Sequence, residues 1–300
     1  MTEVDQAFAS YRNLLFSVAY RILGTAADAE DAVQDAWMRW SAADRSRVAD
    51  QKAYLVRIVS NLALDRLRSA QARRETYVGP WLPEPILTAD LAEDVTTAES
   101  VSMALLVVLE TLSPLERAVF VLREVFGFGY AEIAATVERS EATVRQAGHR
   151  AREHVRARRP RFPAEQGRRR EVTQRFLAAA AGGDINGLMQ LLAPDVTLWT
   201  DGGGKVRQAT RPVIGAERVA TWFAGVGKRA YEGVAPAEMR ADLVDLNGGP
   251  GIVFTGAGRV IATLTLDVDD TGRVVGIHNV ANPDKLRAVT TGAVYPVSGR

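Results

Sequence analysis

The stretch from Val144 to Arg156 carries residue types that can read nucleic acid. Val144, Gly148, Ala151 and Val155 recur at helical spacing and share one face, which must pack on a neighbouring element. Arg145, Gln146, His149, Arg150, Arg152 and Arg156 fall on the other faces. In a major groove Arg reaches guanine and Gln reaches adenine, while further Arg residues hold phosphates. A solvated basic face is the plainer alternative. The arrangement upstream weighs against it, because a short helix and a three-residue turn precede this one. Gly148 is the weak point, since an interior helical glycine costs about 1 kcal/mol relative to alanine unless close packing compensates.

Three other groups stand out. Asp28, Asp31 and Asp35 lie one turn apart on one helix face, where like charges repel unless a basic partner is present; an ordinary exposed acidic face is the alternative. Asn61, Asp65 and Arg68 share a face suited to bases and backbone, and Arg73 and Arg74 follow. In Asp201-Gly202-Gly203-Gly204-Lys205 the glycines free the backbone for a sharp turn, and the flanking charges are placed to pair with another domain. A simple hairpin loop would look the same.

Metal and redox chemistry are not expected. There are no cysteines, and of the three histidines, His149, His154 and His278, none is spaced i,i+4 from another. His278 in a strand reads as structural, and no Asp–His pair stands out by spacing, so neither catalysis nor a cofactor is expected.

The elements that position these groups form three blocks. Residues Ala7 to Glu75 read as helical, with no proline. From Tyr77 the prolines and glycine of YVGPWLPEPILTADLAED predict an extended linker. A second helical block runs from Thr97 to Arg159. Within it Ser113-Pro114-Leu115-Glu116 starts a capped helix, and Gly127-Phe128-Gly129 ends it. Tyr130 to Val137, the turn Glu138 to Ser140, and the helix from Glu141 then make a helix-turn-helix. After Pro160 and Pro163, helices at Arg170 to Ala181, Ile185 to Leu192 and Ala216 to Ala224 are mixed with strands. The strands are Val196 to Thr200, Met239 to Leu246, Gly251 to Thr255, Val260 to Val268 and Val274 to Val280. The expected architecture is multidomain: two all-α units at 1–76 and 97–160, a linker at 77–96, and an α+β domain at 161–300.

At 300 residues, 47% hydrophobic and 24% charged, the chain is typical of a soluble protein, and no apolar run nears the roughly 18 residues of a membrane span. The N-terminus MTEVDQAFASYRN has no export signal, so a cytoplasmic location is expected. The net charge of +1 hides a division: Arg139 to Arg170 holds eleven Arg against three Glu, whereas Glu84 to Glu116 holds seven acids and no base. Such blocks meet different partners.

AEDAVQDAW, AYLVRIVSNLALDRLRS and LSPLERAVFVLREVFGFGYAEIAATVERSEATVRQ, in this order and spacing, resemble the extracytoplasmic-function sigma factors over Ala7 to Arg158. The resemblance implies core RNA polymerase, through its β′ clamp and β flap, and promoter DNA as partners. It implies that Asp28 to Trp40, with Asp28, Asp31, Gln34, Asp35 and Trp37, docks on the clamp. Ser41 to Asp50, with Asn61, Asp65, Arg66 and Arg68, would melt and read the −10 element. Glu141 to Arg156, with Glu141, Arg145, Gln146, His149, Arg150 and Arg152, would read the −35 element. The C-terminal third resembles a SnoaL-like domain of the NTF2-like superfamily. Trp81-Leu82-Pro83-Glu84-Pro85, Asp201 to Lys205 and Asn282-Pro283-Asp284-Lys285-Leu286 resemble the subgroup that carries this fusion. There the extension acts as a built-in regulator, which implies interdomain roles for Trp81, Pro83, Asp201, Gly202, Gly203, Gly204, Lys205, Asn282, Pro283, Asp284 and Lys285.

The expected function is an alternative sigma factor regulated in cis. A stand-alone helix-turn-helix regulator is one alternative, which the acidic face and the linker argue against. A ligand-sensing or catalytic C-terminal domain with a DNA-binding output is the other; Trp199, Trp222, Phe223, His278 and Asn279 are expected to line the cone's pocket, where an unknown small ligand would bind.

Overall fold

A computed structural model describes residues 3–89, 95–158, 164–226, 230–231 and 233–297. The boundary expected at residue 160 and the side chains of Arg73 and Arg74 lie outside what is described.

Three helices open the chain: α1 (Glu3–Leu23), α2 (Ala26–Ser41) and α3 (Gln51–Glu75). Their apolar residues recur every three or four positions, so Leu15, Val18, Ile22, Ala29, Ala36, Leu55 and Val59 meet in one buried seam. Gly24, at φ 78, turns the chain between α1 and α2. The Pro-rich segment follows and contributes the two-residue strand β1 (Leu87–Thr88).

The second helical block comprises α4 (Val95–Val101), α5 (Met103–Glu110), α6 (Pro114–Phe120) with a widened final turn to Val125, α7 (Tyr130–Val137) and α8 (Glu141–Arg158). The capping box at α6 forms as expected: Glu116 donates its backbone N–H to Ser113 Oγ at 3.4 Å, and Ser113 returns one to Glu116 Oε2 at 3.2 Å. The turn between α7 and α8 closes on Glu138, which takes a left-handed conformation at φ 53. A Cβ on Gly148 would sit 3.3 Å from both Val119 and Tyr130, so glycine here lets α8 approach α6 and α7 closely.

The last block holds α9 (Gln166–Gly182), α10 (Ile185–Leu191), β2 (Leu192–Asp201), β3 (Val213–Ile214), α11 (Ala216–Val226), β4 (Arg240–Leu246), β5 (Gly249–Gly256), β6 (Arg259–Val268), β7 (Val274–Val280), α12 (Arg287–Thr290) and β8 (Val294–Tyr295). The sheet runs β3-β2-β7-β6-β5-β4-β1-β8. It is mixed, because β2 pairs with β7, and β1 with β8, in parallel. No tight hairpin links either pair, so nothing local forces them antiparallel. One face of the sheet packs Ile252, Leu264 and Ile277 against Phe176, Leu188 and Phe223 of the helices.

The other face is covered by the rest of the chain. Leu82 of the Pro-rich segment packs with Val280 and Leu286, and Leu87 with Leu246, Val253 and Val289. Nor does that segment hold the helical blocks apart: they share one core, which also takes in Ala288 and Val297. Residues 82 to 86 are all buried, because an extended Pro-rich segment can serve as packing as well as spacer. No helix among the described residues is long and apolar enough to cross a membrane.

Candidate nucleic-acid interface

On α8, Val144, Ala147, Gly148, Ala151 and Val155 are buried, while Arg145, Gln146, His149 and Arg150 are exposed. Several of the outward arginines are held by acids. Arg145 pairs with Glu141 and lies over the Tyr130 ring, 4.8 Å from its centroid. Arg150 Nε is 2.6 Å from Glu116, and Arg152 reaches Glu124 at 3.3 Å and the Tyr130 hydroxyl at 3.2 Å. Desolvation pushes the Glu116 carboxyl up, but hydrogen bonds from Arg150 and Ser113 outweigh it and leave the group below its ordinary value. These pairs preorder the arginines on a face that anions can reach.

On α2, Asp31 and Asp35 do have the basic partner that their spacing demands. Arg66 of α3 lies 3.4 Å from Asp31 and 2.7 Å from Asp35. Two groups expected to serve different partners thus form one cluster. Asp28 accepts from Thr25 Oγ1 at 2.6 Å, Gln34 is exposed, and Trp37 packs edge-on to Phe8 with centroids 5.2 Å apart.

Asn61, Asp65 and Arg68 share one side of α3, as their spacing predicts. That side lines a groove with Arg39, Glu138 and Arg139, so it faces the turn of the helix-turn-helix. Arg57 and Glu138 bridge the same junction at 3.4 Å. The sequence gives no sign of this juxtaposition, which depends on how the two blocks dock.

The Asp201 loop is built into the fold. Asp201 is fully buried; Oδ2 accepts from the Leu82 backbone at 2.9 Å and from Lys285 Nζ at 2.7 Å, and Oδ1 accepts from Tyr77 Oη. Lys285 Nζ also lies 3.2 Å from the centroid of the Trp81 ring and donates to Leu82 O at 2.5 Å. Asn282 donates to Tyr77 Oη at 2.8 Å. A Cβ on Gly203 would fall 2.3 Å from the Asn282 amide, and one on Gly202 2.3 Å from Val206 O, so both glycines are required by close approach. At Gly204 a Cβ would meet Val78 at 3.2 Å. Pro283 opens the short helical turn that carries Asp284 and Lys285, and buried Pro83 follows Leu82 in the segment they hold. Lys205 departs from expectation: it pairs with Asp284 of its own domain at 2.6 Å, because the turn folds it back along Asn282 to Lys285.

Glu84 was not singled out by the sequence. Its Oε2 accepts from the backbone of Ala26 at 2.7 Å and of Ala27 at 3.3 Å, capping α2 where Thr25 makes no side-chain cap. Its own N–H donates to Gly24 O at 2.8 Å, and its carbonyl accepts from Tyr20 Oη at 2.7 Å.

The expected pocket residues divide between the two faces of the sheet. Trp222, Phe223 and Asn279 line a cavity of about 230 Å³ on the helix-covered face. Trp199 and His278 point the other way, stacked with centroids 5.1 Å apart, because alternation along β2 and β7 sends them to the opposite side. There His278 Nδ1 lies 3.8 Å from Asp267 Oδ2, a proximity that spacing alone did not reveal. The signal was the β6–β7 hairpin register, which pairs His278 with Thr265 and so places Asp267 one diagonal step away.

Known proteins match along nearly the whole chain. Residues 7–73 match the model of Sigma-70 region 2, and residues 102–155 that of Sigma-70, region 4. The ECF RNA polymerase sigma factor SigJ of Mycobacterium tuberculosis is 41% identical over 294 residues, covering 93% of this chain and 92% of that protein. The probable ECF RNA polymerase sigma factor SigI of the same species is 32% identical over 296 residues, covering 96% and 98%. The crystal structure of the SigJ protein superposes with a TM-score of 0.75 at 37% identity, covering 94% of this chain and 98% of that one. With both sigma-70 regions in order and a fused α+β domain behind them, the chain belongs to the ECF RNA polymerase sigma factors.

Proposed function

We propose that this arrangement is the closed form of an alternative sigma factor that directs promoter-specific initiation by core RNA polymerase, and that the fused domain holds it closed. The observation that carries this reading is the groove between α3 and the helix-turn-helix, with Arg57 and Glu138 only 3.4 Å apart across the junction. Promoter elements centred about 25 base pairs apart are separated by roughly 85 Å of B-DNA. One body with a shared core cannot place both reading faces at that distance, so the blocks must part before both engage.

In this reading Asp28, Asp31, Gln34, Asp35 and Trp37 dock on the polymerase clamp. Asn61, Asp65, Arg66 and Arg68 meet the −10 element, where opening of the duplex presents unstacked bases. Glu141, Arg145, Gln146, His149, Arg150 and Arg152 meet the −35 element, and the β flap supports their domain. The units of residues 1–76 and 97–160 move relative to each other, and 161–300 is the restraint. The segment 77–96 is its strap, gripped by Asp201 and Lys285 on one side and tied through Glu84 to α2 on the other. All of this takes place in the cytoplasm, where polymerase and promoter are.

We assign no catalytic step to the fused domain. Among the described residues lining the 230 Å³ cavity none is Asp, Glu or His. The Asp267–His278 pair lies on the opposite face and is too far apart, at 3.8 Å, to hydrogen-bond.

The absence of cysteine makes a direct test simple. In Arg57→Cys/Glu138→Cys, a short bis-maleimide should tether α3 to the helix-turn-helix and abolish run-off transcription with core polymerase. The untreated double variant should initiate. Full initiation by the tethered protein would overturn the closed-form reading.

A further inference from the structure

Between α5, the end of α8 and the outer face of the sheet lies a cavity of about 670 Å³, within the range of small-molecule sites. Its floor is the stacked Trp199–His278 pair. Val107 and Val108 line it from α5, and on the sheet side Asp267, Asp269 and Asp270 share it with Arg158 of α8.

His278 is 2% exposed, and its Nδ1 has no hydrogen-bond partner among the described residues. The same holds for Thr265 Oγ1, its direct partner across the ladder and 8% exposed. A buried polar atom without a partner is costly, and in a folded protein such an atom calls for an explanation. Burial holds the His278 imidazole below its ordinary value, so the ring is neutral and can accept a hydrogen bond.

We propose that this interdomain cavity binds a small organic amine carried on a flat apolar body. One ammonium nitrogen can donate at once to Asp267 Oδ2 and His278 Nδ1, which stand 3.8 Å apart. The flat body then lies between the Trp199 ring and the apolar wall of α5, where an aromatic face also favours a nearby cation. Among the described lining residues three carboxylates stand against one guanidinium, which favours positive charge. Both walls exist only while the fused domain and α5 are docked, so binding favours the closed form. That consequence rests on the closed-form reading above; the binding itself does not.

The test is calorimetric titration of the full chain with 2-phenylethylamine and with 2-phenylethanol, which matches its shape without the charge. Saturable binding of the amine is expected, with the alcohol at least about tenfold weaker, the loss of one charge-assisted hydrogen bond. Asp267→Asn should weaken the amine roughly tenfold by the same reasoning. Ala104→Trp, which fills the cavity from the α5 side, should abolish binding while circular dichroism stays unchanged; it keeps the test decisive if Asp267→Asn fails to fold. No saturable heat for the amine, equal binding of the alcohol, or a response unaltered in the variants would overturn the proposal. Binding that holds while the amine leaves run-off transcription unchanged would uphold the site and overturn the closed-form reading instead.

Discussion

Asn247 donates from Nδ2 to the Tyr20 hydroxyl at 2.7 Å, tying the turn after β4 to the last turn of α1. The same amide donates to Val101 O at 3.3 Å, and its Oδ1 accepts from the Ile86 backbone at 3.2 Å. One side chain, 1% exposed, therefore touches both helical blocks and the strap. Asn247→Asp keeps the shape but loses both donors and buries a carboxylate. It should destabilise the closed form by about 3 kcal/mol. Urea denaturation will measure the loss, and hydrogen exchange should rise at Tyr20 and Ile86 together.

Lys285 lies between Trp81 and Asp201, with both charges withdrawn from water. Lys285→Met should cost about 3 kcal/mol or more, because it strands a buried carboxylate. Adding Asp201→Asn removes that charge, so the double variant should be more stable than Lys285→Met alone. A double-mutant cycle on the unfolding free energies checks the sign.

Two buried groups give the closed form an opposed pH dependence. Burial raises Glu84 above its ordinary 4.5, more than its backbone donors lower it, so the folded protein favours the protonated acid. The stability linked to Glu84 is therefore largest at acid pH and declines as pH rises through the shifted value. His278 works in the other direction: burial lowers it from 6.5, with Asp267 opposing, so its stability is complete above 6.5 and is lost as pH falls below. Arg158 and the hairpin acids share its cavity. Glu84→Gln should remove the decline that begins above 4.5, and His278→Gln the loss just below 6.5, as read from urea midpoints across pH.

In the proposed reading Arg145 reads bases and Arg156 holds phosphate. Arg145→Ala should cost roughly 1–3 kcal/mol of discrimination against altered −35 sequences, whereas Arg156→Ala should weaken all sequences alike and lower the salt slope by about 1. Binding of the polymerase holoenzyme to promoter variants at two salt concentrations distinguishes them.

The helices, the capping box at Ser113 and five of the strands were legible because each follows from local periodicity or end chemistry. So was the division of α8 into a buried and an exposed face, and even Gly148, whose cost implied the close packing that Tyr130 and Val119 provide. What did not show was docking. Glu84 looked like one acid in an acidic stretch, since its task depends on Ala26, fifty-eight residues away in the chain. The direction of β2 beside β7 and the division of Trp199 from Trp222 across the sheet depend on long-range pairing. The Pro-rich segment read as a spacer, because the surfaces that bury Leu82 and Ile86 come from elsewhere.

Arg21 is fully buried at the point where α1, the second helical block and the C-terminal segment meet. Its guanidinium donates to the carbonyls of Ser17, Ser100 and Val297 and to Ser100 Oγ, and no carboxylate pairs with it among the described residues. Burial pushes its pKa down to about 10, far less than would discharge it at neutral pH. The folded protein thus keeps a dehydrated cation held by dipoles and by the Phe126 ring, 5.4 Å from its centroid. In the closed-form reading, parting the blocks would return it to water, and the hydration regained would work like a compressed spring that leaves polymerase less to supply at the moment of release.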